Sequence, residues 1–412
     1  MYHIAVIFVR EQNVLYSSQI NKVRQICKTS AHFQDQRNCE RNSRTEMSEN
    51  LLHIRENGYN ILKRKEERLS MQKLFTEFQI KNLTLKNRVV MPPMCMYCAP
   101  ETGMTTDWHV VHYGSRAAGG AGLIIVEATG VSPEGRLTSN DLGIWDDSHI
   151  EGLARIATAI HEGGAKAGIQ INHGGRKCEA EGVQIEAPSP IAYDEAGRVP
   201  KEMTKQDIAD TVLEFKNAAI RAHQAGFDLI EVHAAHGYLL SEFLSPLTNK
   251  RVDEYGGSYE NRVRFLGEVL DAVREVWPDD KPIEVRISAE DYLEGGNQSE
   301  DLGAMLNLVK HKGIDSVNVS TGGVVPIAPK AYPGYQISHA EKIKKLTGLP
   351  TTCGGLITKP EEADNILQEG KSDLVYLGRE LLRNPYWPLH AAHALNCDVL
   401  WPKQYERAKP RR

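Results

Sequence analysis

Gly122-Leu-Ile-Ile-Val-Glu-Ala-Thr129, a helical span at His149–Gly163, and Ala165-Lys-Ala-Gly-Ile-Gln-Ile-Asn-His173 together decide the fold. The outer two are short, nearly unbroken apolar runs, and the middle one has apolar residues at helical spacing. A strand without polar alternation is buried on both faces, as in a parallel sheet covered by helices. The same unit recurs to either side. Further strands are predicted at Arg88–Met94, Phe227–Ala234, Ile283–Ala289, Ile314–Ser320, Leu349–Gly354 and Ser372–Leu377, with helices at Lys205–Ala225, Asn261–Val276, Glu300–Lys312 and Ser338–Thr347. Gly-Gly, Gly-Phe-Asp or Gly-Ile-Asp before several strands supply the turns that stop each helix. Eight strand–helix units in about 320 residues fit a closed (β/α)8 TIM barrel. An open doubly wound sheet usually carries G-x-G-x-x-G after its first strand, and none is present. Leu74–Asn87 reads as a hairpin that plugs the barrel bottom. One barrel over residues 71–412 is therefore expected.

Composition agrees with an ordinary globular enzyme. Of 412 residues, 41% are hydrophobic and 25% charged, enough apolar material for a large core. A net charge of -5 gives no reason to expect nucleic-acid or membrane partners. No stretch approaches the roughly 20 apolar residues of a membrane span. Seven scattered cysteines do not form a disulfide framework, and reduced thiols in the cytoplasm are expected. Cys95-Met-Tyr-Cys98 is a C-x-x-C, but no second pair completes a metal site, so no metal is expected.

In a (β/α)8 barrel the chemistry lies at the C-terminal ends of the strands. Strand one leads into Pro92-Pro93-Met94-Cys95-Met96-Tyr97, where two prolines stiffen the backbone into a shelf. Strand three ends in Gln170-Ile-Asn-His-Gly-Gly-Arg176, with Gln170 a neutral donor and acceptor. Strand four gives His233-Ala-Ala-His236-Gly-Tyr238. Side chains alternate along a strand, so the backbone must turn at Ala234-Ala235 for both imidazoles to reach one ligand. There they would donate to one oxygen as an oxyanion hole does, with Tyr238 beside them as a proton donor. Core or surface histidines are the plain alternative for a lone His, but not for this triplet at a strand end. Arg286 in strand five needs a buried acceptor, either a ligand or a structural carboxylate. Gly354-Gly355 after strand seven and Gly378-Arg379 after strand eight suit a phosphate.

These segments, together with Val90–Tyr97, Gly122–Ala128, Leu244–Asn249, Asp253–Ser258 and Leu377–Glu380, resemble the old yellow enzymes from about Leu74 to Arg407. Cysteine at position 95 is similar to the bacterial, thermophilic-like NADPH dehydrogenase subclass. The resemblance implies FMN across the barrel mouth, with Pro93, Met94, Cys95 and Ala128 along the ring. Gln170 and Arg286 would meet its pyrimidine edge, and Gly354, Gly355, Gly378 and Arg379 its phosphate. NADPH would reduce the flavin and leave, and an α,β-unsaturated carbonyl compound would then be reduced in a ping-pong cycle. His233 and His236 would hold the carbonyl, Tyr238 would protonate the α-carbon, Tyr97 would touch substrate and Cys95 would tune the flavin. Lys177–Met203 would form a cap. Arg407 in Gln404-Tyr-Glu-Arg407 would reach the neighbouring site of a homodimer or homotetramer, although Ala-Lys-Pro-Arg-Arg follows it in place of the family's aromatic ending. Pro93 and Asn172 are further local variations. Iron–sulfur dienoyl-CoA reductases of the same family carry a cysteine-rich segment that is missing here. A flavin-binding protein without turnover is the alternative from another class.

Residues 1–70 differ from the rest: they show no sustained period and end in the charged run Lys63-Arg64-Lys65-Glu66-Glu67-Arg68. A disordered extension, untranslated upstream sequence with Met71 as the native start, and a small folded module are the three readings. Lys-Glu-Glu-Arg can be encoded by a purine-rich stretch like a ribosome-binding site, which favours Met71. Intact mass of the protein from its own organism is expected to start at Met71; a mass that includes residues 1–70 sinks that reading.

Overall fold

A computed structural model of the chain describes residues 72–410, and the expectations for residues 1–70 lie outside it. Within the described residues, parallel strands run through Val89–Met91 (β1), Leu123–Gly130 (β2), Lys166–Asn172 (β3), Leu229–Ala234 (β4), Ile283–Ser288 (β5), Ser316–Ser320 (β6), Thr351–Cys353 (β7) and Leu374–Tyr376 (β8). Each hydrogen-bonds to the next in sequence, and β8 returns to β1, with Val375 opposite Val89 and Tyr376 opposite Val90. The sheet is thus a closed barrel, as expected. The helices Asp107–Ala118 (α1), His149–Glu162 (α2), Lys205–Gln224 (α3), Arg264–Val276 (α4), Ser299–Val309 (α5), Ile337–Thr347 (α6), Pro360–Gln368 (α7) and Trp387–Ala394 (α8) follow the strands in order. No helix among the described residues is long and apolar enough to cross a membrane.

Element ends have local causes. β1 stops at Met91, short of the expected Met94, because Pro92 and Pro93 have no N–H for the ladder. The predicted helix Asn261–Val276 is divided: Ser258 caps a short turn, Tyr259–Arg262, before α4 begins. Thr204 starts α3 with a reciprocal capping box to Asp207.

Two apolar clusters hold the barrel. The larger lies between strands and helices, and a smaller one fills the barrel's interior with Val90, Leu123, Ile125, Leu229, Leu374 and Tyr376. The expected hairpin, Phe78–Ile80 paired with Leu83–Leu85, adds Ile80, Leu83 and Leu85 to that inner cluster. It closes the N-terminal end of the barrel, so the opposite end is free for chemistry.

Strand β2 departs from regular alternation. Leu123 and Ile125 face inward and Ile124 and Val126 outward, so Glu127 should point inward. A bulge between Val126 and Thr129 shifts the register against β3, and Glu127 turns outward toward α1 instead.

Leu85 is fully buried in the plug. Leu85→Ala should cost about 2–5 kcal/mol of unfolding free energy in urea titrations. An unchanged midpoint would show that the hairpin is not part of the cooperative fold.

Candidate active site at the barrel mouth

The loop after β1 forms one wall. Tyr97 takes a left-handed backbone conformation (φ +51°) and stands exposed, while Cys95 and Met94 are half-buried. This loop is pinned from behind. Met96 N–H donates to Glu127 Oε2 at 2.6 Å, and the Tyr113 hydroxyl donates to Oε1 at 3.1 Å. Thr106 N–H donates to His109 Nδ1, which leaves the proton on Nε2, 3.5 Å from Glu127 Oε1 and 3.4 Å from Cys98 Sγ. Burial raises the Glu127 carboxyl to about 7, against the pull of Met96 N–H and the Tyr113 hydroxyl. Burial, with the charges of Asp141 and Glu127, also pushes the Cys95 thiol up, so it is a neutral thiol and not a thiolate.

The His-x-x-His-x-Tyr segment converges as expected, but by a different turn. Ala234 is still in β4, and the left-handed residues are His236 (φ +62°) and Gly237 (φ +71°). The turn therefore lies two residues later than the Ala-Ala pair suggested. At Gly237 a Cβ would sit 2.2 Å from the carbonyl oxygen of Gly323, which only glycine avoids. Ring centroids of His233 and His236 are 5.2 Å apart, and Tyr238 lies 5.1 Å from His233. Burial, reinforced by Arg286 and Lys177, holds both imidazoles neutral. Ala235 N–H donates to His233 Nδ1 at 3.3 Å, so Nε2 carries that ring's proton. His236 Nε2 lies 2.7 Å from Ser320 Oγ, which also accepts from Gln336. A hydroxyl proton given to that nitrogen leaves Nδ1–H as the donor of His236. Burial raises the Tyr238 phenol, which stays protonated.

Lys177 went unnoticed as a site residue in the sequence. Its ammonium donates to the His236 carbonyl at 2.9 Å and lies 4.9 Å from the Tyr238 ring centre. Nothing in its spacing marked it, because the contact is made across a loop. The rest of Lys177–Met203 folds over this side with its own small cluster of Cys178, Ala180 and Ile185.

Arg286 of β5 is the register partner of His233, and Gln170 of β3 lies one layer lower, opposite Glu231; both are buried. Arg286 Nε has no partner, and its guanidinium lies 5.6 Å from the Tyr376 ring centre. A cavity of about 230 Å³ opens from Arg286 past Ser320, Tyr335, Gln336 and Tyr376 to Gly355, Gly378, Arg379 and Arg383. A Cβ on Gly355 (φ +101°) would meet the Tyr335 ring at 2.9 Å, and one on Gly354 would meet Tyr376 at 2.2 Å. Both glycines keep this cradle open. Gly378 faces the Met94 sulfur, which joins the cavity to the β1 wall. Ala128 is buried in β2. Arg407 does not line this cavity and stands on the exposed turn Lys403–Ala408. The unpaired guanidinium nitrogen, the glycine cradle and the Arg379 end suit a flat polar ring with an anionic tail.

Residues 73–398 match the family described as NADH:flavin oxidoreductase / NADH oxidase. A protein of Geobacillus thermodenitrificans (strain NG80-2) named NADPH dehydrogenase is 55% identical over 335 residues, 81% of this chain and 98% of that one. The old yellow enzyme homologue from Zymomonas mobilis has a similar structure, with TM-score 0.67 and 28% identity over 82% of this chain and 98% of that one. A 2-naphthoyl-CoA reductase in complex with 2-naphthoyl-CoA gives TM-score 0.75 at 28% identity, over 78% of this chain but 52% of the longer protein.

The Glu127 carboxyl titrates near 7, above the ordinary 4.5. Between those values the folded chain holds a proton that the unfolded chain has released, so the contribution of Glu127 to stability falls as pH rises through this window. Glu127→Gln cannot ionise, and its stability relative to wild type should rise between about pH 5 and about pH 8 by up to about 3 kcal/mol. Thermal melts of both proteins across that range are the measurement; parallel curves would remove Glu127 as the source.

Proposed function

This chain belongs to the NADH:flavin oxidoreductase / NADH oxidase family, the old yellow enzymes, and from that premise we propose that this oxidoreductase is an FMN-dependent NADPH dehydrogenase and ene-reductase. The observation that carries the reading is the meeting of His233, His236 and Tyr238 with Arg286 beside His233 and Gln170 one layer beneath, at one barrel mouth. Bound FMN would supply the two-electron carrier, taking hydride from NADPH and passing it to the β-carbon of an α,β-unsaturated carbonyl compound.

The protein's own groups do the rest. Arg286 and Gln170 hold the ring's pyrimidine edge, and the unpaired Arg286 nitrogen supports that assignment. Gly354, Gly355, Gly378 and Arg379 receive the phosphate; Pro93, Met94, Cys95 and Ala128 line the ring. Two neutral imidazoles, each with one N–H to give, bind the substrate carbonyl and favour the electron density that builds on its oxygen. Neutrality matters: an imidazolium would bind anions of every kind, whereas a neutral donor strengthens only as charge develops. Tyr238 keeps its phenolic proton and gives it to the α-carbon. The neutral Cys95 thiol tunes the flavin without being a nucleophile. Tyr97 contacts substrate from the exposed wall. Arg407 completes the site of a neighbouring subunit in a homodimer or homotetramer, in keeping with its exposed position.

Anaerobic spectroscopy tests the cycle: NADPH should bleach the yellow protein and cyclohexenone should restore it. A purified protein that takes up no flavin overturns the proposal; one bleached by NADPH but not restored by any enone is a flavin-binding protein without turnover. The double variant His233→Ala, His236→Ala should retain flavin and lose enone turnover by about 10²-fold or more. Retained turnover would end the assigned role of both imidazoles.

A further inference from the structure

Two buried carboxyls in the barrel have no task in the cycle above. Glu231 of β4 and Glu284 of β5 are register partners, both completely buried, one inward layer below His233 and Arg286. Glu231 Oε1 accepts the Gln170 amino group at 2.6 Å, and its Oε2 accepts Asn318 Nδ2 at 2.7 Å. Glu284 Oε2 accepts from the Ser316 hydroxyl at 2.9 Å and the Thr352 hydroxyl at 3.1 Å, while Oε1 receives no donor. Two adjacent carboxylates sealed from water cannot both ionise. The donors say which one does. Glu231 is occupied by an N–H at each oxygen and is the carboxylate; Glu284, with one oxygen undonated and the Glu231 charge as its register neighbour, is the one that keeps the proton. The pair then carries one negative charge, and the Arg286 guanidinium of the layer above is its counter-charge.

This arrangement dictates which end of the Gln170 amide is free. A carboxylate attracts the amino group and repels the carbonyl, so the amide cannot turn over while Glu231 is ionised. We propose that Glu231, kept as the carboxylate by proton-bearing Glu284, is a positioning residue that fixes the Gln170 amide so that its carbonyl oxygen serves as the acceptor for the flavin's imide N–H. The inference rests on the FMN reading and deepens it: the specificity of the floor for a ring with that donor is set one layer deeper, by a residue that does not touch the ring.

The pair of amide variants separates this from a packing role. In Glu231→Gln the charge is gone and Gln170 is free to turn. In Glu284→Gln the new amide N–H replaces the carboxyl proton, and Glu231 stays charged. FMN dissociation constants and midpoint potentials of the reconstituted proteins are the readouts. Glu231→Gln should bind FMN about tenfold more weakly and have a less negative potential, because a negative charge under the ring opposes electron uptake. Glu284→Gln should remain within about twofold of wild type, the change expected of an isosteric donor swap. Equal damage from both variants, or none from Glu231→Gln, overturns the proposal. Should Glu231→Gln fail to fold, wild-type protein labelled with ¹⁵N-glutamine decides. The Gln170 amide, assigned by its loss in Gln170→Leu, should exchange its protons slowly, and free exchange refutes the constraint. A wild-type protein that bound no FMN would strike the functional reading alone, since the amide measurement needs no flavin.

Discussion

The ladder between β8 and β1 is the constraint on which the rest depends. Val375 against Val89 and Tyr376 against Val90 turn a sheet with two edges into a barrel with none. Closure puts all eight strand ends around one mouth, and strand alternation then assigns every second residue to the interior. Gln170, the Glu231–His233 strand, Arg286 and Asn318 owe their common address to this geometry, since they come from four strands far apart in sequence. With the hairpin filling the N-terminal end, the inward rows meet ligand only at the other end.

Where the chain breaks its own regularity, it does so beside that mouth. Two prolines cut β1 short, a bulge turns Glu127 out of β2, and left-handed residues end β4. Each break re-aims something that regular structure would have misplaced. Without the bulge, Glu127 would point into the barrel and could not hold Met96 N–H, so the wall carrying Cys95 and Tyr97 would lose its anchor. Without the left-handed pair His236–Gly237, the second imidazole would continue along β4 and face away from the first.

The barrel was legible in the sequence because its signal is periodic and repeated. Every predicted strand, from Arg88–Met94 to Ser372–Leu377, overlaps an observed one, and the errors are confined to ends. The His-x-x-His-x-Tyr set was legible because its residue types are rare at strand ends. Its turn was misread since alanines permit bending, whereas the local signal was Gly237, which with His236 takes the left-handed conformation. Tyr335 and Gln336 were missed for a related reason. They reach the cavity from the loop before α6, and their contacts with Gly355, Ser320 and Tyr376 join positions far apart in the chain. Glu127 was hidden by the bulge. A one-residue slip inverts inside and outside, and nothing in Leu-Ile-Ile-Val-Glu-Ala marks where it occurs.

The interior divides into an apolar lower half and a charged upper half, and the boundary has a physical logic. At the level of Leu229 and Leu374 the barrel is packed with aliphatic side chains; one layer higher, Glu231 stands beside Gln170 and Glu284. Burying a carboxyl pair and a guanidinium costs several kcal/mol per ion before compensation. Only mutual neutralisation and a full set of donors can offset it. Gln170, Asn318, Ser316 and Thr352 supply those donors to the carboxyls, whereas Arg286 keeps one nitrogen unpaired toward the mouth. The charge of the pair is thus answered by donors from within its own layer, whereas the guanidinium above it keeps a nitrogen open. A barrel designed for stability alone would continue the aliphatic packing upward. This one gives way to polar side chains at Gln170, Glu231 and Glu284, and the open guanidinium above them is where a polar ring has most to offer.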